Sequence, residues 1–254
     1  TCPSGVNYMH LIDHGRNHVE ATYKRPWFDR LIRNILSYTL PRPNIFFILT
    51  LLTKIIKPFS FLFPNFIKNS LSLMPSNTQT TKIKDKRVHP SNGEKTTARV
   101  ALLIGCVQRV ISPEINDSTI RLLTRHNVEV VVLPEIDCCG SLNHHLGKKN
   151  LAHSSFKKNI NLWHEEYLKN GLDAIISNTS GCGTTLKDYG FIFRDDKDFS
   201  KKAKKISELT KDITEFLDEN LKLEFKTPDE KKYKIAYHSA CSMQHGQKVH
   251  DQPM

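Results

Sequence analysis

Six cysteines are the residues best equipped for chemistry in this chain: Cys2, Cys106, Cys138, Cys139, Cys182 and Cys241. A thiolate is a soft metal ligand and a nucleophile, so what matters is which of them can meet. Thirty-one residues separate Cys106 from Cys138, and 41 separate Gly140 from Cys182. Each gap is about one α-β unit long, which is what convergence requires. Glycines stand beside the thiols: Gly105, Gly140, Gly181 and Gly183. Without a Cβ, the backbone there can close around a bound group and aim its amide N–H groups at sulfur, so the four are candidate cofactor-binding positions. Four convergent thiolates suit zinc or an iron–sulfur cluster. Two plainer uses stand beside that one. Buried thiols pack as small hydrophobes, and disulfides are possible, although the adjacent Cys138 and Cys139 would make a strained pair.

The elements that must bring the thiols together are readable around them. Val100–Ile104, Val128–Pro134, Leu172–Ser177 and Tyr233–Tyr237 are short apolar or β-branched runs, and each leads to a cysteine. Between them lie helical patterns at 116–126, around Phe156, Ile160, Trp163 and Tyr167, and along one face through Ile206, Leu209, Ile213, Phe216 and Leu217. Strands alternating with helices predict an α/β fold with a mostly parallel sheet and flanking helices. In such a sheet the carboxyl ends of the strands share one edge, the usual place for a site. A weak internal repeat adds to this. Ile104-Gly105-Cys106-Val107-Gln108 and Ser239-Ala240-Cys241-Ser242-Met243-Gln244 both read as strand, small residue, Cys, Gln, with their cysteines 135 positions apart. A duplicated α/β module explains the pattern.

The N-terminal part reads differently. Residues 1–40 form a helical segment with apolar stripes through Tyr8, Leu11, Ile12 and Val19, then Trp27, Phe28, Leu31, Ile32, Ile35 and Leu36. His10, His14 and His18 recur every fourth residue, a spacing that places imidazoles on one face, although surface histidines are the simpler reading. Residues 44–74 are the most apolar, but Lys54, Lys57, Pro58 and Pro64 interrupt them. The uninterrupted run falls short of the ~20 residues that span a bilayer. Burial or a subunit contact is therefore expected over an interfacial segment, because soluble surfaces leave few Phe exposed. Residues 75–97 are polar and read as a linker. The formal net charge is +11. The basic residues are mostly scattered lysines, with neither a nucleic-acid motif nor a basic stripe interleaved with aromatics, so no nucleic-acid partner is expected.

Cys2-Pro3 is how a ferredoxin run of the form C-x2-C-x2-C-x3-C-P ends. Together with the absence of a starting Met and a last strand followed by few residues, it predicts a piece of a longer protein. With Thr1-Cys2-Pro3-Ser4-Gly5-Val6, Cys138-Cys139-Gly140 and Tyr237-His238-Ser239-Ala240-Cys241 in hand, the chain resembles the glycolate oxidase (glycolate dehydrogenase) iron–sulfur subunits. Those share the CCG cysteine-rich module with iron–sulfur proteins of lactate utilisation, anaerobic glycerol-3-phosphate dehydrogenase and heterodisulfide reductase. The segments Asp13-His14-Gly15-Arg16, Arg25-Pro26-Trp27-Phe28, Ser180-Gly181-Cys182-Gly183, Lys187-Asp188-Tyr189-Gly190 and Gln244-His245-Gly246-Gln247-Lys248 extend the likeness over nearly the whole chain. In the broader family the motif ends C-x-x-C. Here Thr179 stands three before Cys182, so that pattern is not fully met.

The resemblance implies an organisation: 1–20 as the end of a two-cluster ferredoxin-like domain, 21–97 as a helical apolar segment and linker, 98–228 as a first CCG module, and 229–254 as the start of a second. It implies electron transfer with no catalytic residue on this chain. Cys2 would ligate a [4Fe-4S] cluster, Cys106, Cys138, Cys139 and Cys182 would form the first CCG site, and Cys241 would open the second, flanked by His238 and His245 as outer hydrogen-bond partners. Partner subunits would carry FAD and oxidise glycolate to glyoxylate, and electrons would pass to a membrane or quinone acceptor, in a cytoplasmic complex at the inner face of the membrane. Related lactate or glycerol-3-phosphate systems, a redox-inert zinc docking module and a disulfide-acting enzyme are the alternatives.

Overall fold

The computed structural model describes residues 6–72, 87–221, 223 and 234–254. Cys2 therefore lies outside the described residues. The core is a five-stranded sheet: β1 (Val88–His89), β2 (Ala98–Leu103), β3 (Val128–Val131), β4 (Ala174–Ser177) and β5 (Thr210–Asp212), in the order β1-β3-β2-β4-β5. β3, β2, β4 and β5 run parallel, and β1 is antiparallel at the edge. The expected α/β architecture, with a helical segment before it, is what the chain forms.

Alternation along β2 explains the two apolar layers. Val100 and Leu102 face α6 (Pro113–Arg125) through Ile120 and Leu123, together with Val128, Val130 and Phe216. Ala101 and Leu103 face α8 (Lys149–Asn170), α9 (Ser180–Ile192) and α10 (Ser200–Leu209). On α8, Phe156, Ile160 and Trp163 recur at helical spacing and are essentially fully buried. Each such side chain contributes ~1.5–3 kcal/mol on burial.

Three local readings are corrected. The face drawn through Ile206 and Phe216 is two helices, α10 and α11 (Ile213–Phe216), with β5 between them. β5 forms because Thr210–Asp212 pairs with Ile175–Ser177, and Asp212 then caps α11 in a reciprocal box with Glu215. The linker's second half joins the sheet, since β1 pairs with Val130 and Val131 and Thr97 N–H donates to Asn127 O. Residues 234–240 form no strand. No neighbour in the described sheet offers them a ladder, and Ile235 stands 84% exposed.

The N-terminal helices are α1 (Tyr8–Thr22), α2 (Trp27–Thr39), α3 (Pro43–Ile56) and α4 (Asn65–Ser72), with a 3-10 stretch at Lys57–Leu62 after α3. Of the expected burial or subunit contact at 44–74, burial within this chain is not what Pro43–Leu62 shows. Helix and 3-10 stretch together make 20 residues, Pro43–Leu62, long and apolar enough to cross a membrane by length and composition, and only 11% of the apolar window is buried. Lys54, Lys57 and Pro58 do not interrupt the helical path, whereas Pro64 lies in the non-helical link between the 3-10 stretch and α4. Pro58 sits at the start of the 3-10 stretch, where a missing N–H costs little.

Candidate metal centre

β2 is the first strand of the parallel set, β3 lies on one side of it and β4 on the other. The chain leaving β2 packs on one face of the sheet and the chain leaving β4 on the opposite face, which opens a crevice at their carboxyl ends. The thiols converge there. Cys106 sits in the turn between β2 and α5 (Gln108–Ile111). Cys138 and Cys139 precede α7 (Ser141–His145), and Cys182 lies in the first turn of α9.

The four thiols lie in a row: Cys139 Sγ is 3.1 Å from Cys182 Sγ, and Cys106 beside Cys138 and Cys138 beside Cys139 are near enough to shift one another's titration. Cys138 and Cys139 are buried, while Cys106 and Cys182 are half-buried. Backbone amides serve the sulfurs: Gly140 N–H donates to Cys138 Sγ at 3.3 Å, and the N–H groups of Cys106 and Val107 serve the Cys106 thiol. Asn159 Nδ2 donates to Cys138 O at 2.8 Å, and Tyr189 Oη donates to Cys139 O at 2.6 Å. Two buried polar groups from α8 and α9 therefore fix the Cys138–Cys139 backbone. Nothing in the local sequence distinguishes Asn159 from a surface amide. Tyr189 is flagged only by its place in an otherwise apolar helix face.

The glycines have separable roles. Gly140 adopts φ +85°, and a Cβ there would lie 2.5 Å from the Phe156 ring, so both conformation and space demand glycine. Gly105 turns the chain into Cys106 at φ +67°. A Cβ on Gly181 would meet nothing within 4 Å, whereas one on Gly183 would strike the Gln247 carboxamide at 2.6 Å.

The electrostatics of the thiols follow from their crowding and burial. The hydrogen bond to Cys138, followed by burial, pushes the Cys106 thiol far up. For Cys138 the bond with Cys106 pulls down, but the bond with Cys139 and burial prevail, and it is pushed up to about 12. Cys139 is likewise driven well above the ordinary thiol range by Cys182 and burial, despite its bond with Cys138. Crowding and burial thus favour the neutral thiol at Cys106, Cys138 and Cys139, and positive charge beside them would reverse that preference. A bound metal would supply that charge and convert them to ligands. Donor set, amide N–H groups and burial all fit a thiolate-held metal or cluster.

Cys241 is exposed, at the start of a π-helical turn, Ser242–Gln247, that packs on α9. Ser242 Oγ donates to Ser180 Oγ at 2.8 Å, Gln247 Nε2 to Ser180 O at 3.0 Å, and Thr184 Oγ1 to Ser242 O at 2.9 Å. His238 and His245 are exposed. The histidine stripe of α1 does not act together. His10 stacks on Phe191 and contacts Asp188 Oδ1 at 2.6 Å, while His14 and His18 are exposed. A different group has the shape of a metal triad: Asp13, His144 and His145 keep one ligand atom each within 4.8 Å of the others. Burial alone would raise the Asp13 carboxyl, but the His144 and His145 hydrogen bonds outweigh it and hold it far below the usual range. Arg16 Nη1 stands 2.9 Å from Asp13 Oδ1 and 3.2 Å from His145 Nδ1. A guanidinium thus already takes the cation's place, and the group works as an ionic latch between α1 and α7.

Fold and site define an α/β module whose strand ends gather four cysteines into one crevice. The family model described as the CCG cysteine-rich domain matches residues 100–187, and over nearly all its length the chain is similar to proteins named glycolate oxidase iron–sulfur subunits. It is 34% identical to the "Glycolate oxidase iron-sulfur subunit" of Escherichia coli over 98% of this chain and 57% of that protein. It is 28% identical to the "Probable glycolate oxidase iron-sulfur subunit" of Bacillus subtilis over 95% of this chain and 56% of that protein. It is 27% identical to "Lactate utilization protein A" of Bacillus licheniformis over 61% of this chain. The chain thus spans little more than half the length of the first two relatives. No solved structure matches significantly.

Proposed function

We propose that this chain is part of the iron–sulfur electron-transfer subunit of a flavin-dependent oxidoreductase, with glycolate, oxidised to glyoxylate, as the substrate of the whole complex. The observation that carries the reading is the row of four thiols, Cys106, Cys138, Cys139 and Cys182, at the carboxyl edge of the sheet. Those four would hold a [4Fe-4S] cluster, which when bound carries one electron at a time. Cys2 and Cys241 are proposed ligands of neighbouring clusters in the longer protein. The chain's own residues supply a cradle. Amide N–H groups at Cys106, Val107 and Gly140 stabilise sulfur charge, which raises the tendency to accept an electron. Asn159 and Tyr189 keep the Cys138–Cys139 backbone from shifting when charge changes.

The substrate-oxidising chemistry is assigned to flavin-bearing partner subunits. The complex is proposed to sit in the cytoplasm against the inner face of the membrane, with a membrane or quinone acceptor. The exposed apolar stretch Pro43–Leu62, with Lys54 and Lys57 toward its end, supports that placement.

Anaerobic purification tests the reading. Iron with acid-labile sulfide, and broad absorbance near ~400 nm, are expected. Stoichiometric zinc in a colourless protein would replace the proposal with a redox-inert docking module.

A further inference from the structure

We infer that Gln108 is a positioning residue of the thiol site: its carboxamide ties the turn that carries Cys106 to the turn that carries Cys182, across the divergence of β2 and β4. The inference rests on the thiols forming a metal centre, whichever metal they hold. The ladder between the two strands ends at Leu103 and Ser177. Past that point the backbones part to opposite faces of the sheet, and side chains make the connection. Gln108 Nε2 donates to Asn178 Oδ1 at 2.8 Å and to Asn116 Oδ1 at 3.0 Å, while its Oε1 accepts from Thr179 Oγ1. Asn178 Nδ2 donates to Asn116 Oδ1 at 3.1 Å and to Thr119 Oγ1 at 3.2 Å. Asn116, fully buried, donates from Nδ2 to Ile104 O at 2.9 Å.

Both donors of Gln108 and both of Asn178 are spent inside this network, so it holds a fixed shape. Its place gives it a task. The thiols lie in a row whose ends are Cys106 and Cys182, and its middle, Cys138 and Cys139, is held separately by Asn159 and Tyr189. Cys106 precedes Gln108 by two residues, and Cys182 follows Thr179 by three. The Gln108–Thr179 contact is therefore a short side-chain path between the two ends of the row. It sets their separation, and with it the geometry offered to a metal.

The test loads the full chain, purified anaerobically, with Co2+ and separately with iron and sulfide. Gln108→Leu and Thr179→Val are each expected to speed chelator-driven metal release about tenfold, as loss of an outer partner does. Both should shift the thiolate-to-Co2+ charge-transfer band, which reports ligand geometry. Thr179→Ser should restore both readouts. The double variant should match either single one, because each opens the same clamp. Phe216→Ala, in the core on the α6 face of the sheet, lowers unfolding stability and should leave the band in place. Release and band within twofold of the parent in both variants would overturn the inference. So would faster release that merely tracks lost unfolding stability with an unmoved band. A parent chain that holds Co2+ on these thiols but no iron and sulfide removes the electron-transfer proposal and leaves this one standing. A parent that holds neither ends both.

Discussion

The N-terminal helices and the α/β module differ in how much apolar surface they bury. In the module the interior is apolar on both faces of the sheet, from Val100 and Phe216 on one side to Phe156, Trp163 and Tyr189 on the other. In α1 to α4 the buried residues include Asp13, Ser37 and Thr50, with Phe46 and Leu71 as apolar examples, while Trp27, Ile55, Phe61 and Leu62 are about 70% exposed. The helices attach through polar contacts centred on α7. These are the Asp13 latch, Ser37 Oγ to Asn143 Oδ1 at 2.6 Å, and Arg33 Nη2 to Leu146 O at 2.7 Å. Apolar burial is non-directional and holds the module together, whereas the polar contacts are directional and fix where α1 and α2 sit. The segment they meet, 141–148, directly follows Cys139 and Gly140.

The sharpest way to break this contrast lies at its shared point. Cys139→Ser removes a central member of the thiol row, and the absorbance near ~400 nm is expected to vanish with the bound iron; a variant that keeps its colour would detach the row from the metal. Next in size, Phe156→Ala should cost about 3–5 kcal/mol in denaturant unfolding, by opening a cavity beneath Gly140. Asp13→Asn should cost about 1.5–3 kcal/mol, since it removes the charged acceptor that His144, His145 and Arg16 meet. If Asp13 were instead a surface ion pair, the loss would stay under about 1 kcal/mol.

The pH dependence sharpens the same point. The Asp13 carboxyl titrates far lower folded than unfolded, so its contribution is complete above its ordinary value of 3.8 and is lost as pH falls below it toward the folded value. Acid titration of parent and Asp13→Asn should therefore show curves that converge at low pH. The smallest stability effect belongs to the outer face. Phe61→Asp should change unfolding stability by no more than about 0.5 kcal/mol. It should nevertheless cut co-sedimentation of the complex with anionic vesicles, and unchanged sedimentation would remove the membrane placement.

β2, β3 and β4 were legible because continuous apolar runs bounded by turns have few other uses, and the placement of cysteines past them made the shared edge visible. β1 and β5 were not legible. Two and three residues carry no periodicity, and each becomes a strand only because a neighbour presents its ladder. The run before Cys241 failed for the converse reason, since a β-prone pattern without a partner strand does not pair. In the N-terminal region the apolar stripe was plain, but its fate was not, because a pattern reports which residues prefer burial and not what is present to bury them.

By itself the sequence determined the α/β class and the shared strand edge at which Cys106, Cys138, Cys139 and Cys182 fall, because apolar periodicity and unit length are local, additive signals. Only the tertiary structure decided the order of the thiols in their row, the anchoring of the Cys138–Cys139 backbone by Asn159 and Tyr189, the Gln108 network, and the Asp13 latch. Those are contacts between polar side chains distant in sequence. Such groups look like ordinary surface residues until the fold removes water from around them and leaves one another as their partners.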